Sequence, residues 1–168
     1  VAGEEMTIDF TGTSPQRPGC INAPVAVTSS ACLYVVRCLL DEQAPANQGC
    51  FRPLNIITPL GTLVNPEPQR GVAAGNVETS QRITDVLLGA LAQALPDVIP
   101  AASQGTMNNL AMGESGENGA RPWDYYETMA GGMGAPRHGD GLAAVHSHMT
   151  NSRLTDPEIL EQRFPVVL

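Results

Sequence analysis

The longest helical pattern in the sequence is the feature that most constrains the fold. Residues 25–40 (VAVTSSACLYVVRCLL) are mostly apolar, and Pro24 suits the first turn of a helix that starts there. Asn22 is predicted to be the N-cap. Because a helix that is apolar on most sides is normally buried, we expect this helix to pack inside the domain.

A second helix is predicted within residues 75–96. Apolar side chains recur there at helical spacing, whereas Gln81 falls off the apolar stripe. Thr79 or Ser80 is expected to cap the start of this helix, and Pro96 to end it. The predicted stripe consists of Ile83, Val86, Leu87, Ala90, Leu91 and Ala94.

Short strands are predicted for much of the remaining chain. Residues 6–10 alternate apolar and polar side chains, which indicates a half-buried strand. Residues 50–66 contain prolines that favour edge or irregular strands. Residues 123–134 and 141–151 are further candidate strands.

A short C-terminal helix completes the pattern, because Thr155 and Glu158 have the spacing of a capping box. The order of elements predicts an α+β (mixed α/β) fold, with a mixed sheet, two main helices and the short C-terminal helix. We expect residues 1–168 to form a single domain. Because the sequence begins without methionine and stops on an apolar segment, we also expect an excised fragment of a longer subunit.

Charge and residue types exclude several functions. The sequence contains no lysine, its nine cations are all arginines, and its net charge is −8. A lysine Schiff base and a P-loop lysine are therefore excluded within this chain. An acidic chain without a basic run is a poor partner for nucleic acid. With no apolar run near the roughly 18 residues of a membrane span and no signal-peptide pattern, we expect a cytoplasmic protein with no membrane partner.

Two groups of polar residues lie near helix or strand ends. Asn76, Glu78 and Arg82 surround the start of the second helix, where free N–H groups could bind an anion or a developing oxyanion. Simple helix capping accounts for the same residues. The amide of Asn108 suits recognition of a cyclic amide, and it suits equally a turn that satisfies its own backbone.

The histidines form the most concentrated set of reactive side chains. His138, His146 and His148 lie within eleven residues, followed by Asn151 and Arg153. If residues 141–151 form a strand, His146 and His148 share one face, with Cβ atoms about 7 Å apart. Metal binding, proton transfer and a hydrogen-bonded core histidine all remain open for this segment. Glu127 precedes a glycine-rich segment in which the backbone could approach a ligand closely.

Six separated motifs, in order along nearly the whole chain, carry a family resemblance. They are DFTGTSPQ, NAPVAVTSSACLYVVRCLL, GNVETSQRITDVLLGALAQALP, ASQGTMNN, YYETMAGGMGA and VHSHMTNSRLTDPEILEQRFPV. The sequence resembles the hydantoinase B/5-oxoprolinase family, and most closely the C-terminal, hydantoinase B-type part of 5-oxoprolinase. The resemblance implies a part of an ATP-dependent cyclic-amide hydrolase that opens 5-oxoproline or a hydantoin ring.

The same resemblance implies how the work is divided. ATP, with Mg, is expected to be bound by a partner hydantoinase A-type domain or subunit, so the fragment should bind no cofactor and be inactive alone. The family's segment associated with a divalent metal lies upstream of the region matched here, and we assign no metal to the three histidines. A homo-oligomer is expected.

Candidate roles in such a site follow from residue type. His146 or His148 would act as general acid or base, since an imidazole transfers protons near neutral pH. Arg82 or Arg153 would hold a carboxylate or phosphate. The remaining candidates would orient water or bind the amide. They are the catalytic candidates Glu78 and Glu127 and the substrate-binding candidates Asn76, Asn108 and Asn151.

Two alternatives remain open. Ketone carboxylases that use ATP contain the same type of subunit, so the reaction could be carboxylation rather than hydrolysis. The chain could also be a non-catalytic structural or interface domain of the same assembly.

Overall fold

The computed structural model describes residues 1–41, 44, 45, 47–116, 119 and 121–168. These residues form two compact units, Val1–Pro100 (unit 1) and Ala101–Leu168 (unit 2). Each unit combines a pair of strands with helical structure, two main helices in unit 1 and one short helix in unit 2, which confirms the predicted α+β class. The expectation of one domain over residues 1–168 stays a prediction.

Unit 1 contains the two main helices and a parallel pair of strands. Strand β1 (Met6–Asp9) lies parallel to β2 (Leu54–Ile57), and both fall within segments that were predicted to form strands. Helix α1 (Val25–Leu39) packs against helix α2 (Ser80–Ala92), and a π-helical turn at Gly75–Thr79 leads directly into α2. A 3₁₀ turn at Gln48–Phe51 precedes β2.

The contact between α1 and α2 is more polar than predicted. Gln81 is buried although it lies off the apolar stripe, and Val86, on that stripe, is 65% exposed. Hydroxyl groups can be buried here because they donate to backbone carbonyls: Thr28 to Val64, and Thr84 to Ser80 one helical turn earlier. The buried face therefore contains hydroxyl groups whose hydrogen bonds are made within the protein. A prediction based on residue polarity alone would have left this face exposed to water.

The predicted helix caps of unit 1 are wrong. Pro24 occupies the N-cap position of α1, and the Asn22 side chain is buried instead. Its amide accepts the Arg17 N–H and donates to the carbonyls of Arg17, Gly19 and Gly71. These bonds join distant segments, which explains why a local capping rule fails.

Helix α2 has no side-chain cap at Thr79 or Ser80, because helical turns already begin at Gly75. The hydroxyl of Thr79 donates to the carbonyl of Ile21 instead. A side chain at position 75 would place its Cβ 2.1 Å from the carbonyl oxygen of Asn22, so only glycine fits there.

Unit 2 contains an antiparallel hairpin and the short C-terminal helix. Strand β3 (Asn108–Glu114) pairs with β4 (Trp123–Met129), and α3 spans Pro157–Arg163. The predicted Thr155–Glu158 capping box is wrong. Asp156 is the N-cap and accepts the Glu158 N–H at 2.9 Å, because Thr155 donates its N–H elsewhere.

Residues 141–151 do not form the predicted strand. Ala144 and His148 have φ values of 55° and 57°, which break an extended conformation. The carbonyls of Leu142 and Val145 accept the N–H groups of Met133 and Gly132, so the segment packs along the glycine-rich chain through turns. The predicted Cβ spacing of His146 and His148 assumed a strand, so it does not apply.

Within the part of the chain that the structure describes, no helix combines the length and apolarity needed to cross a bilayer.

Candidate functional site

Glu127 lies at the centre of the most promising group of reactive side chains in unit 2. It stands opposite Leu110 in the hairpin, and the period-two alternation of β4 places Tyr125 on the same face. The N–H of Thr155, just before α3, donates to Glu127 Oε1. We call Tyr125, Glu127, His146 and Thr155 the Glu127 cluster.

The Glu127 carboxyl is held in its ionised form. Burial opposes ionisation, but the adjacent Tyr125 hydroxyl, the backbone and side chain of Thr155 and the charge of His146 together outweigh it and lower the pKa of Glu127. A carboxylate at neutral pH therefore lies beside an imidazole.

Tyr125 and His146 both present polar atoms that are shielded from water. Burial raises the pKa of the Tyr125 hydroxyl, and its Oη approaches Thr155 and Glu127 without a hydrogen bond of good geometry. His146 Nε2 is enclosed, and no atom of the described residues offers it a hydrogen bond. Because an unpaired buried polar atom is costly, His146 Nε2 is available for a ligand, a water or a proton.

A cavity of about 480 Å³ opens beside this cluster. Glu127 and Thr155 supply polar groups to its wall, and most of the remaining wall is apolar. The apolar lining includes Leu110, Met129, Leu154 and Leu160. A mostly apolar wall with a few polar groups is typical of sites that bind small molecules.

The other predicted histidine positions differ in environment. His148 is half-buried and adopts a left-handed backbone conformation, which is uncommon for a residue other than glycine. His138 is exposed. Among the residues described, no three His, Cys, Asp or Glu side chains are grouped so that they could hold a metal ion.

The predicted substrate-binding residues of unit 2 are more exposed than the cluster. Asn108 opens β3 and pairs with Met129, two residue pairs from Glu127. It shares a face with Leu110, so it lies on the side of the hairpin that carries the cluster. Asn151 and Arg153 are exposed in the segment before α3. Their roles in binding stay predictions.

In unit 1, the predicted anion site at the start of α2 is already largely occupied by local bonds. The N–H groups of Val77 and Glu78 donate to the carbonyl of Ala74. The Arg82 guanidinium forms an ion pair with Asp85 at 2.6 Å. Asn76 is exposed, and its carbonyl accepts the hydroxyl of Ser80 at 2.6 Å. These bonds favour helix stabilisation, although Asn76, Glu78 and Arg82 stay predictions as site residues.

Sequence reasoning missed Tyr125 and Thr155 as members of the cluster. The alternation in WDYYETM was enough to place Tyr125 on the face of Glu127. The sequence marked Thr155 only as a helix cap, because its contact with Glu127 joins residues that are 28 positions apart.

Comparison with known proteins shows the family. The family model described as "Hydantoinase B/oxoprolinase" matches residues 1–168. 5-Oxoprolinase 1 of Arabidopsis thaliana is 49% identical over 164 residues, which cover 98% of this chain and 12% of the relative. The 5-oxoprolinase of Saccharomyces cerevisiae is 45% identical, with 98% of this chain and 13% of the relative covered.

A solved structure gives the same result for the fold. The crystal structure of the ATP-dependent caprolactamase from Pseudomonas jessenii matches with a TM-score of 0.72 and 25% identity, over 93% of this chain and 28% of that chain. The chain thus spans about 12% of the length of the 5-oxoprolinase 1 that it matches. This chain belongs to the hydantoinase B/oxoprolinase family.

Proposed function

We propose that this chain is part of an ATP-dependent cyclic-amide hydrolase that opens 5-oxoproline or a hydantoin ring. The observation that carries the proposal is the family match over all 168 residues, with 5-oxoprolinases among the relatives. The similar caprolactamase is named for another lactam, which supports a cyclic amide as the shared substrate class.

We assign ATP and its Mg to a partner hydantoinase A-type domain or subunit. A lactam carbonyl is a poor electrophile, and phosphorylation of its oxygen makes the carbon open to attack by water. Supporting this division, the chain has no lysine and no phosphate-binding loop, and its net charge of −8 disfavours an anionic nucleotide.

Within the Glu127 cluster we assign proton transfer to His146. An ideal general base has a pKa near the working pH, which suits an imidazole better than a carboxyl whose pKa is lowered. His146 would take a proton from the attacking water as the carbon–oxygen bond forms. It would return that proton to the ring nitrogen as the carbon–nitrogen bond breaks, which leaves an acyl phosphate. A second water would then displace phosphate from this acyl group and give the carboxylate product. Glu127 is then a positioning residue.

The other predicted roles stay proposals. Glu78, Asn76 and Arg82 in unit 1 have local structural explanations, and Asn108, Asn151, Arg153 and His148 are candidates for contacts in the complete protein. Homo-oligomerisation and a cytoplasmic location stay predictions.

The test compares His146→Ala with His138→Ala in the complete enzyme with its partner. ATP-dependent ring opening by His146→Ala should fall by about 100-fold or more. His138 is exposed, so the control should stay within about twofold. A loss below tenfold for His146→Ala, at unchanged thermal stability, would remove His146 from proton transfer.

A separate assay distinguishes hydrolysis from carboxylation. The unmodified enzyme is supplied with 5-oxoproline, with a hydantoin, or with a ketone and bicarbonate, and product formation is compared.

One observation favours a second candidate, a structural role. Glu127 fixes the chain before α3 to β4 through the Thr155 N–H, and that bond stabilises the fold without any substrate. If changes at Glu78, Glu127, His146 and Asn151 all leave turnover intact while deletion of the region prevents assembly, the region is an interface domain.

A further inference from the structure

The free edge of β1 adjoins an apolar groove in unit 1. The N–H groups of Met6 and Phe10 donate to the β2 side, to Pro53 and Ile57. Because the hydrogen-bonding direction alternates along a parallel strand, the N–H and C=O groups of Thr7 and Asp9 point to the opposite edge. The part of the chain that the structure describes pairs no strand there.

The groove runs along this edge, between β1 and the two main helices. It encloses about 320 Å³ and is lined by all of β1, including Thr7 and Asp9, by Phe10, and by apolar side chains of α1 and α2. Val86 belongs to this lining and is 65% exposed. The helices add Val35, Val36, Leu87 and Leu91.

Two physical arguments indicate that an extended segment covers this groove. Parallel sheets occur almost only where both faces are buried, and two strands alone are marginal. A strand edge beside an apolar groove matches strand addition, in which main-chain hydrogen bonds form along the edge and alternate side chains fill pockets. An added strand would pair with Thr7 and Asp9 and place an apolar side chain against Val86.

We propose that the occupant is an extended, apolar strand from the same polypeptide, in the part of the hydantoinase B-type subunit that lies outside these 168 residues. The relatives are several times longer than this chain, so they contain the sequence needed to supply it. A strand from the same polypeptide adds to the edge without the entropy cost of bringing two molecules together. The proposal depends on the chain being part of a longer subunit, but not on the reaction that the subunit catalyses.

Amide hydrogen exchange in the complete subunit tests the proposal. The Thr7 and Asp9 amides should exchange on the order of 100-fold or more slowly than the exposed amide of Gly12. Val86→Asp should reduce that protection by about tenfold or more, because it places a charge in the groove. Gly89→Asp adds the same charge to α2 outside the groove and should leave it unchanged.

Each other result overturns the proposal. Thr7 and Asp9 amides that exchange as fast as Gly12 would show an open edge, and this measurement needs no variant to fold. If the protection of the Thr7 and Asp9 amides decreases when the subunit is diluted to monomers, the groove is occupied by a second copy of the subunit. Equal effects of Val86→Asp and Gly89→Asp would show that no side chain fills the groove.

Discussion

Glu127 combines two roles that usually belong to different residues. It accepts the Thr155 N–H, which holds the start of α3, and it provides the negative charge beside His146. A change at Glu127 therefore affects stability and proton transfer together. A change at a neighbour of Glu127 separates the two effects better.

Tyr125→Phe is such a change, and Tyr126→Phe is its matched control. Tyr125 lies on the cluster face of β4, whereas Tyr126 lies on the other face and is 65% exposed. Loss of the Tyr125 hydroxyl should raise the pKa of Glu127 and cost about 0.5–1.5 kcal/mol of unfolding free energy. Tyr126→Phe should stay within about 0.5 kcal/mol. Urea denaturation measures both, and equal losses would contradict the assigned contact.

The lowered pKa of Glu127 predicts a pH dependence of stability. The folded state holds this pKa below the ordinary value of 4.5, so its contribution is fully present above about pH 4.5 and is lost as pH falls through the folded pKa. Wild type should therefore exceed Glu127→Gln in unfolding free energy at pH 7, and the difference should shrink toward pH 3. A difference that is constant from pH 7 to pH 3 would show that the carboxylate is not stabilised by folding.

At the same scale, the sequence identified part of the cluster. Glu127 and His146 were both selected from residue type, and alternation was sufficient to add Tyr125. The strand predicted for residues 141–151 placed His146 and His148 together for the wrong reason. Positive φ at Ala144 and His148 interrupts the predicted strand, and residue type does not reveal it.

The helices show which features local sequence determines. The bounds of α1 and the existence of α2 followed from apolar content and periodicity, because burial of a face dominates helix formation in proteins. The caps did not follow. Asn22 and Thr155 each make bonds to residues far along the chain, and those bonds replaced the local caps that the spacing predicted.

Gly75 and Gly89 offer a test of how closely α2 approaches the chain before α1. A methyl group at Gly75 would meet the Asn22 carbonyl oxygen, whereas nothing lies within 4 Å of a Cβ at Gly89. Gly75→Ala should therefore destabilise the protein by about 1–3 kcal/mol. Gly89→Ala, in an exposed helix position, should stabilise it by about 0.5–1 kcal/mol. Thermal unfolding compares them, and a neutral Gly75→Ala would show that the contact is looser than described.

Over the whole molecule, the distribution of charge follows the proposed division of labour. An acidic chain whose only cations are arginines offers few groups for a triphosphate, and Arg82 is already paired with Asp85. A partner that binds the nucleotide would supply the cationic groups that this chain lacks.

Photolabelling with an azido-ATP analogue tests that division in the complete enzyme. The label should attach to the A-type part, and peptides from residues 1–168 should stay unmodified when the digest is analysed by mass spectrometry. An azide reacts without needing lysine, so the absence of lysine does not bias the result. Label on peptides from residues 1–168 that excess ATP competes away would contradict the assignment.

The bonds of Asn22 also have a consequence for chemical ageing. Deamidation begins when the backbone nitrogen of the next residue attacks the asparagine side chain, and here the Ala23 N–H is engaged by the carbonyl of Leu63 at 2.8 Å. The native fold therefore protects this amide. Once converted to aspartate, position 22 would turn a negative oxygen toward the carbonyls of Arg17, Gly19 and Gly71, and refolding would be opposed. Time spent in the unfolded state thus risks irreversible loss of the molecule, and the combined aspartate and isoaspartate fraction at position 22 in an old preparation would reflect that time.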